Sequence, residues 1–170
     1  MRVIFWDVDG VMNNGPEMRI TPIWSEVLSD KDKLYDRMVS PSNFKPVMDL
    51  LLYCYEKDIK MVISSSWRIL NNTNHVDSLR LNFGYYLIDK LYIGDTPEIN
   101  GHGRGDEIRT FLFNNPEITD YIVIDDDYDK DFKGLKVFTT TFKYGLTDRH
   151  VKNIINYFNK ERWWITLFMN

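Results

Sequence analysis

Cysteine is nearly absent from this sequence, in which Cys54 is the single one among 170 residues. One cysteine cannot form an internal disulfide, so we expect a reducing compartment such as the cytoplasm. No histidine lies in a motif that would pair with Cys54, and tyrosines flank it in an apolar run. The sequence therefore favours core packing of this side chain over a catalytic thiol.

Blocks of one charge sign and long apolar runs are also missing. The formal net charge is −4, and no cluster of Lys or Arg stands out. This argues against non-specific binding of duplex nucleic acid, but not against local binding of one nucleic-acid end. No stretch reaches the roughly 18 apolar residues that a membrane helix needs. Acidic residues begin too early for the apolar region of a signal peptide, so we expect a cytoplasmic protein with no membrane partner.

Hydrophobic residues, by contrast, make up 44% of the sequence and aromatic residues 15%, enough for one domain over residues 1–170. Short apolar runs that end in polar residues predict buried strands. The predicted strands lie at residues 3–6, 59–63, 121–124 and 136–139.

Apolar residues at helical spacing lie between these runs. The predicted helices are centred on residues 44–55, 108–112 and 151–158. The first would have Pro46 in its first turn and Ser42 or Asn43 as its N-cap. Thr147 or Asp148 would cap the last. Alternating strands and helices predict an α/β fold, a Rossmann-like three-layer sandwich with a central parallel sheet.

Two stretches are too long for plain connections. Residues 13–43, with a short helix predicted at 24–28, are interpreted as a small cap insertion after the first strand. Residues 69–103 contain a weakly helical piece at 76–83. Such insertions often act as lids or specificity loops near a site, the alternative being surface decoration.

Asp7 and Asp9 follow the first predicted strand, and Gly10 comes next. A carboxylate can attack phosphorus to form an aspartyl phosphate, and a second acid can protonate the leaving alkoxide. Alternation in an extended strand places both acids on one face, and Gly10 permits a sharp turn close to a bound phosphate. The alternative interpretation is an ordinary surface turn.

Hydroxyl and cationic groups follow at two later positions. Ser64, Ser65 and Ser66 end the second predicted strand, where hydroxyls and backbone N–H groups can hold phosphoryl oxygens or cap a helix. Arg68 can bind phosphate through two hydrogen bonds or pair with an acid. Arg104, between two glycines, can neutralise the attacking carboxylate and the phosphoryl group, or be a solvated loop residue.

A run of acids ends the third predicted strand: Asp125, Asp126 and Asp127, with Asp129 and Asp131 behind them. Magnesium prefers oxygen ligands and usually takes only one or two protein carboxylates. Asp7, the backbone carbonyl of Asp9 and one of the acids in this run would meet that need. A run of acids is normally a solvated face, but this one ends a buried strand, which favours a Mg²⁺ site. Because sites in open parallel sheets form at the carboxyl ends of strands, we expect all four groups in one crevice.

Together the four motifs resemble the haloacid dehalogenase superfamily of phosphohydrolases, which combines an Asp-x-Asp strand end, a Ser/Thr strand end, a Lys or Arg, and paired acids. Four segments resemble more narrowly the haloacid-dehalogenase-like domain of Swiss Army knife RNA repair proteins. These segments are residues 65–68, 94–97, 104–108 and 124–127, and the resemblance spans about residues 1–147.

The resemblance implies a role for each matching position. The implied catalytic residues are Asp7 as nucleophile, Asp9 as general acid, Ser65 as the phosphoryl-binding hydroxyl and Arg104 as the stabilising cation. The implied magnesium ligands are Asp7, Asp9, Asp125 and Asp126. From the motifs themselves we expect Gly10, Ser64, Ser66 and Arg68 to bind substrate. Ser64 takes the place of Ser65 if the register slips by one, and Lys is more usual than Arg104. Which of the paired acids binds the ion directly is left open.

We therefore expect a magnesium-dependent phosphatase that hydrolyses phosphomonoesters of a nucleotide, a nucleic-acid end or a small metabolite. The preference for nucleotides or nucleic-acid ends rests on the family branch alone. The alternatives are a receiver-like module that is phosphorylated on Asp to switch a partner, and a non-catalytic binding module. Turnover separates them, because a switch holds its phosphate whereas an enzyme releases it.

The C-terminal residues 148–170 are predicted as a helix followed by an aromatic tail that contains Trp163 and Trp164. An apolar terminus of this kind favours packing on the sheet or on a partner chain over base stacking. The oligomeric state is left open.

Overall fold

The computed structural model describes residues 1–19, 38–69, 75–127 and 130–168, with the backbone alone at residues 19, 130 and 161–168. Its strands are β1 (Arg2–Trp6), β2 (Ile59–Ile63), β3 (Tyr92–Asp95), β4 (Asp120–Asp125) and β5 (Val137–Thr139). They form one all-parallel sheet in the order β3-β2-β1-β4-β5. The predicted α/β fold with a central parallel sheet is confirmed.

Helices connect the strands. They are α1 (Gly15–Arg19), α2 (Pro41–Lys57), α3 (His75–Phe83), α4 (Tyr85–Leu91), α5 (Arg104–Asn114) and α6 (Asp148–Phe168). Two 3₁₀ turns, Ser66–Arg68 and Lys130–Phe132, follow β2 and β4. Within the described part of the chain, no helix has both the length and the apolar content that a membrane crossing requires.

Apolar side chains pack on both faces of the sheet, which makes the domain three layers thick. Successive residues of β1 point to opposite faces. Ile4 and Trp6 enter the larger core, which includes apolar residues of α2, α3, α4 and α6. Val3 and Phe5 enter the smaller core against α5, where Ile108 is fully buried. Alternate residues of β1 therefore face α5 on one side of the sheet and the other helices on the opposite side.

The beginning of α2 differs from the prediction. The helix starts at Pro41 with Ser40 as N-cap, not with Ser42 or Asn43. Proline suits the first helical turn, because the N–H it lacks would have no helical partner there. Asn43 lies inside the helix, buried, and donates hydrogen bonds to the carbonyls of Tyr144 and Leu146. Pro46 lies inside the helix as well.

The region between β2 and α5 is more regular than the sequence indicates. The helix predicted at residues 76–83 is confirmed as α3, but α4 and β3 were missed. A strand of four residues that includes Gly94 lacks the long apolar run by which buried strands are recognised.

The predicted domain boundaries stay predictions. Most of the stretch interpreted as a cap at 13–43, including the helix predicted at 24–28, lies outside the described residues. Of that stretch, α1 is described, and α2 begins inside it. Trp163 and Trp164 lie on α6, which continues to Phe168.

Candidate active site

The register of three neighbouring strands brings the predicted motifs to one level. Trp6 pairs with Ile63 of β2 on one side and with Ile124 of β4 on the other. The residues that follow these three are Asp7, Ser64 and Asp125. Asp7 N–H donates to the carbonyl of Ile124 (3.0 Å), and Ser64 N–H donates to that of Trp6 (2.8 Å). The carboxyl ends of β1, β2 and β4 thus form one shelf.

Asp7 is a buried carboxylate at the centre of this shelf, 3% exposed. Its Oδ2 accepts from Arg104 Nη1 at 2.9 Å, and its Oδ1 has no hydrogen-bond partner among the described residues. Burial raises the pKa of Asp7 to about 6. The charge of Arg104 opposes this rise, the charge of Asp125 adds to it, and the Ser65 hydroxyl lowers the pKa. The group is therefore costly to ionise without a further positive charge nearby.

Arg104, the first residue of α5, provides the cation at this site. The same Nη1 that contacts Asp7 also donates to Asp125 Oδ2 at 2.6 Å. Burial alone would lower the pKa of Arg104, but the two carboxylates outweigh it and raise the pKa, so the guanidinium stays charged. One cation thus joins the end of β1 to the end of β4.

The glycines on both sides of Arg104 are explained by close packing against Asp131. A Cβ at Gly103 would lie 1.4 Å from Asp131 Oδ2, and one at Gly105 would lie 2.0 Å from the Asp131 carbonyl oxygen. Arg109 donates to the carbonyls of Asp131 and Lys133, both at 2.7 Å. The turn after β4 therefore packs directly on the first turn of α5, which holds Arg104 in place.

Three carboxylates converge beside Arg104. Asp7, Asp125 and Asp126 each offer an oxygen, and these oxygens lie within 4.8 Å of one another. Burial, and then the charge of Asp7, raise the pKa of Asp126 to about 6. Burial also raises the pKa of Asp125, against the lowering effect of Arg104, and Asp125 Oδ1 accepts from Asp127 N–H at 2.9 Å. The structure thus brings together the side chains of three of the four residues that were predicted as metal ligands, all but Asp9.

The donor set of this cluster fits Mg²⁺. Its ligand atoms are carboxylate oxygens, which hard divalent cations prefer. The three acids face a single guanidinium, and the buried Asp7 Oδ1 lacks a partner among the described residues, so a further cation would balance the charge. A cavity of about 270 Å³ opens beside them. It is lined by Asp7, Asp9, Arg104, Asp125, Asp126, Asp127 and Phe132.

Gly10 has a backbone conformation that favours glycine, with φ of +68°. A Cβ there would lie 2.3 Å from Asp126 Cγ. Thr140 Oγ1 donates to the Gly10 carbonyl at 2.6 Å, which ties this turn to the end of β5. The close neighbour that requires glycine is therefore Asp126; a contact of Gly10 with substrate stays a prediction.

Asp9 lines the cavity, but its side chain lies outside the acid cluster. Asp9 Oδ1 accepts from Asn13 Nδ2 and from Trp67 Nε1, both at 2.9 Å. The sequence analysis missed both donors. Trp67 belongs to a segment that carried the resemblance, but the type of residue alone does not reveal which carboxylate its N–H reaches.

The three serines after β2 have different surroundings. Ser65 is fully buried, and its hydroxyl oxygen accepts a hydrogen bond from Trp67 N–H, which caps the 3₁₀ turn. The same hydroxyl lowers the pKa of Asp7. Ser64 is fully buried too, and its hydroxyl has no hydrogen-bond partner among the described residues. Ser66 is exposed. Of the three serines, Ser65 is thus the one whose hydroxyl affects the pKa of Asp7. Contacts of any of the three with substrate stay predictions.

Arg68 follows the second of its two alternatives, the pair with an acid. Its guanidinium contacts Glu107 in α5 and the carbonyl of Ser65, with only 7% of its side chain exposed. Direct binding of phosphate would require this group to leave Glu107. Arg68 therefore holds the loop that carries Ser64, Ser65 and Ser66 against α5.

Fold and site together define a protein of the haloacid dehalogenase type, with a parallel sheet and four motifs at its carboxyl edge. The chain belongs to the family described as the HAD domain in Swiss Army Knife RNA repair proteins, which matches residues 3–151. The resemblance inferred from the motifs is confirmed. Membership supports a phosphohydrolase-type enzyme at the level of the family. Neither the curated proteins nor the solved structures contain a match to this chain.

Proposed function

We propose that this protein is a magnesium-dependent phosphatase that hydrolyses phosphomonoesters through an aspartyl phosphate on Asp7. The observation that carries the proposal is the position of Asp7, which is buried at the carboxyl end of the central strand, contacts Arg104 and clusters with Asp125 and Asp126. A carboxylate in contact with a fixed cation, and opening on a cavity, is a nucleophile suited to an anionic substrate.

Two displacements at phosphorus account for hydrolysis. An Asp7 oxygen forms a bond to phosphorus as the bond from phosphorus to the leaving oxygen breaks, and Asp9 gives its proton to that oxygen. An alcohol departs. The Asp9 carboxylate then takes a proton from a water molecule that attacks phosphorus, which releases inorganic phosphate and regenerates Asp7. Arg104 offsets negative charge in both steps.

Asp7, Asp125 and Asp126, together with the backbone carbonyl of Asp9, would hold Mg²⁺. When bound, the ion supplies positive charge that offsets repulsion between these carboxylates and the phosphoryl oxygens. The acids contribute the ligands, and Arg104 keeps two of them oriented. The charges of these residues thus support the proposed need for a metal ion.

For substrate, we favour a nucleotide or a phosphorylated nucleic-acid end. The support is the family, whose description names RNA repair, and this is an argument by analogy. The cytoplasmic location also remains a prediction from the sequence.

Phosphate release tests the proposal. We expect release that needs both magnesium and Asp7, measured with p-nitrophenyl phosphate, mononucleotides, a sugar phosphate, and oligonucleotides phosphorylated at the 3′ or the 5′ end. Chelator and Asp7→Asn should each abolish it. A folded protein that binds magnesium but releases no phosphate from any of these would favour the receiver-like switch instead.

A further inference from the structure

Two N–H donors converge on one oxygen of the Asp9 carboxyl group. Trp67 Nε1 and Asn13 Nδ2 both lie 2.9 Å from Asp9 Oδ1. The described residues offer no hydrogen bond to Asp9 Oδ2. Asn13 is fully buried and also accepts from Gly10 N–H at 3.0 Å, so it is anchored in the turn that carries Asp9. The two carboxyl oxygens are therefore in different environments.

Trp67 is held rigidly where it makes this contact. It is 2% exposed, packs in the larger core and lies in the 3₁₀ turn Ser66–Arg68. Arg68 fastens the next position of that turn to Glu107. An indole locked by packing on one side and by the turn on the other holds its N–H in a constant direction.

Burial by itself does not explain why the Trp67 N–H meets a carboxylate. Trp6 is equally buried in the same core, yet its Nε1 has no hydrogen-bond partner among the described residues. The fold thus tolerates a buried tryptophan N–H without a partner. The contact at Trp67 is specific to Asp9, a residue that lines the cavity.

We propose that Trp67 is a positioning residue that, with Asn13, anchors Oδ1 of Asp9 and leaves Oδ2 as the oxygen that transfers a proton. Both donors point at Oδ1, so a proton on that oxygen would face two N–H groups, whereas the described residues place no N–H group against a proton on Oδ2. Asp9 then gives the Oδ2 proton to the leaving oxygen as the bond from that oxygen to phosphorus breaks. Its carboxylate receives a proton from water in the second displacement. This inference rests on the proposed phosphatase function.

A leaving-group comparison tests the role of Trp67. An alkoxide needs a proton in order to leave, whereas p-nitrophenolate needs little help, so loss of acid catalysis slows alkyl esters selectively. We expect Trp67→Phe to lower kcat for an alkyl phosphomonoester about tenfold or more, with KM nearly unchanged. The same variant should lower kcat for p-nitrophenyl phosphate less than about threefold. Asp9→Asn should show the same selectivity more strongly.

Trp6→Phe is the matched control. It removes the same ring and the same N–H from the same core, but no contact to Asp9, so both esters should respond alike. If Trp67→Phe fails to fold, replacement of Trp67 by 3-benzothienylalanine removes the N–H and keeps the shape. In ¹⁵N-labelled protein without magnesium, Asp9→Ala should shift the indole resonance of Trp67 and leave that of Trp6 in place.

The outcomes separate this inference from the function on which it rests. A wild-type protein that is inactive on both esters overturns the proposed function, and the role of Trp67 with it. An active wild type whose Trp67 variants slow both esters equally, or neither, overturns the positioning role alone. An indole resonance of Trp67 that ignores Asp9→Ala overturns the contact itself.

Discussion

Arg68 and Glu107 form a buried ion pair that joins the loop after β2 to the first turn of α5. Arg68 also donates to the carbonyl of Ser65, and Glu107 Oε1 accepts from the N–H of Ile99 at 3.4 Å. The pair therefore sets the distance between the serine that acts on Asp7 and the helix that begins with Arg104. It supports the site without lining the cavity.

Removal of one partner of this pair should be strongly destabilising. Glu107→Ala leaves the Arg68 charge buried without its partner, and we expect a loss of about 3–5 kcal/mol in the free energy of unfolding. Chemical denaturation measures this loss.

The double variant Arg68→Met with Glu107→Leu should recover most of the loss, because apolar pairs of similar volume replace buried ion pairs well. Lys45→Ala, which breaks the exposed pair with Asp49, is the control and should cause no measurable change. An equally small effect of Glu107→Ala would contradict the structural role of the pair.

The charge at position 104 should matter more than the shape of the side chain. Arg104→Lys keeps a cation near Asp7 and Asp125, and we expect kcat within about tenfold of wild type. Arg104→Met removes the cation and should lower kcat about 10²–10³-fold, as loss of a group that stabilises transition-state charge does. Steady-state kinetics on one phosphomonoester compares them. Equal rates for the two variants would show that Arg104 serves folding and not catalysis.

Any side chain at position 105 should destabilise the protein. A Cβ there meets the carbonyl of Asp131, which is backbone and cannot rotate away, so Gly105→Ala must displace the turn after β4 from α5. We expect a loss of stability of about 1–3 kcal/mol together with a lower kcat. Gly134→Ala provides the control. It has open space around the added Cβ but φ of +85°, so stability should fall by about 1 kcal/mol while kcat stays unchanged. Wild-type kcat in Gly105→Ala would refute the link between this packing and Arg104.

Magnesium affinity should fall as the pH drops through about 6. Asp7 and Asp126 have pKa values raised to about 6, so below that pH the ion must displace protons from both. Titration calorimetry between pH 5 and pH 8 measures the affinity and the protons released. Asp126→Asn should reduce that proton release. An affinity that is constant over this range would contradict the assignment of these acids as ligands.

The same shifts predict a pH dependence of stability in the absence of metal. Because the pKa values of Asp7 and Asp126 are raised above the ordinary value of 3.8, the folded protein binds more protons than the unfolded chain between about pH 4 and pH 6. These two groups therefore make the folded state less stable as the pH rises through that window, and added magnesium should reverse the loss. Thermal denaturation with and without magnesium, repeated with Asp7→Asn, checks the sign. A destabilisation that persists in Asp7→Asn at full size would exclude Asp7 as its source.

The sequence by itself determined the alternation of strands and helices and located β1, β2, β4 and β5, but it did not reveal α4 or β3. β2 was predicted at its observed bounds, because a buried parallel strand is a continuous apolar run that can be recognised without knowledge of its neighbours. The four motifs were found for the same reason: each directly follows an apolar run or begins a helix. β3 escaped prediction because a short strand with a glycine lacks this local signal.

Only the tertiary structure decided which of these residues touch. Trp67 meets Asp9 across 58 positions of the chain, and Arg68 meets Glu107 across 39. Such contacts depend on the register of parallel strands and on how closely α5 approaches the turn after β4, and no local pattern encodes either. For the same reason the sequence could name Arg68 as a phosphate ligand or an ion-pair partner, and the fold alone placed its guanidinium against a buried carboxylate.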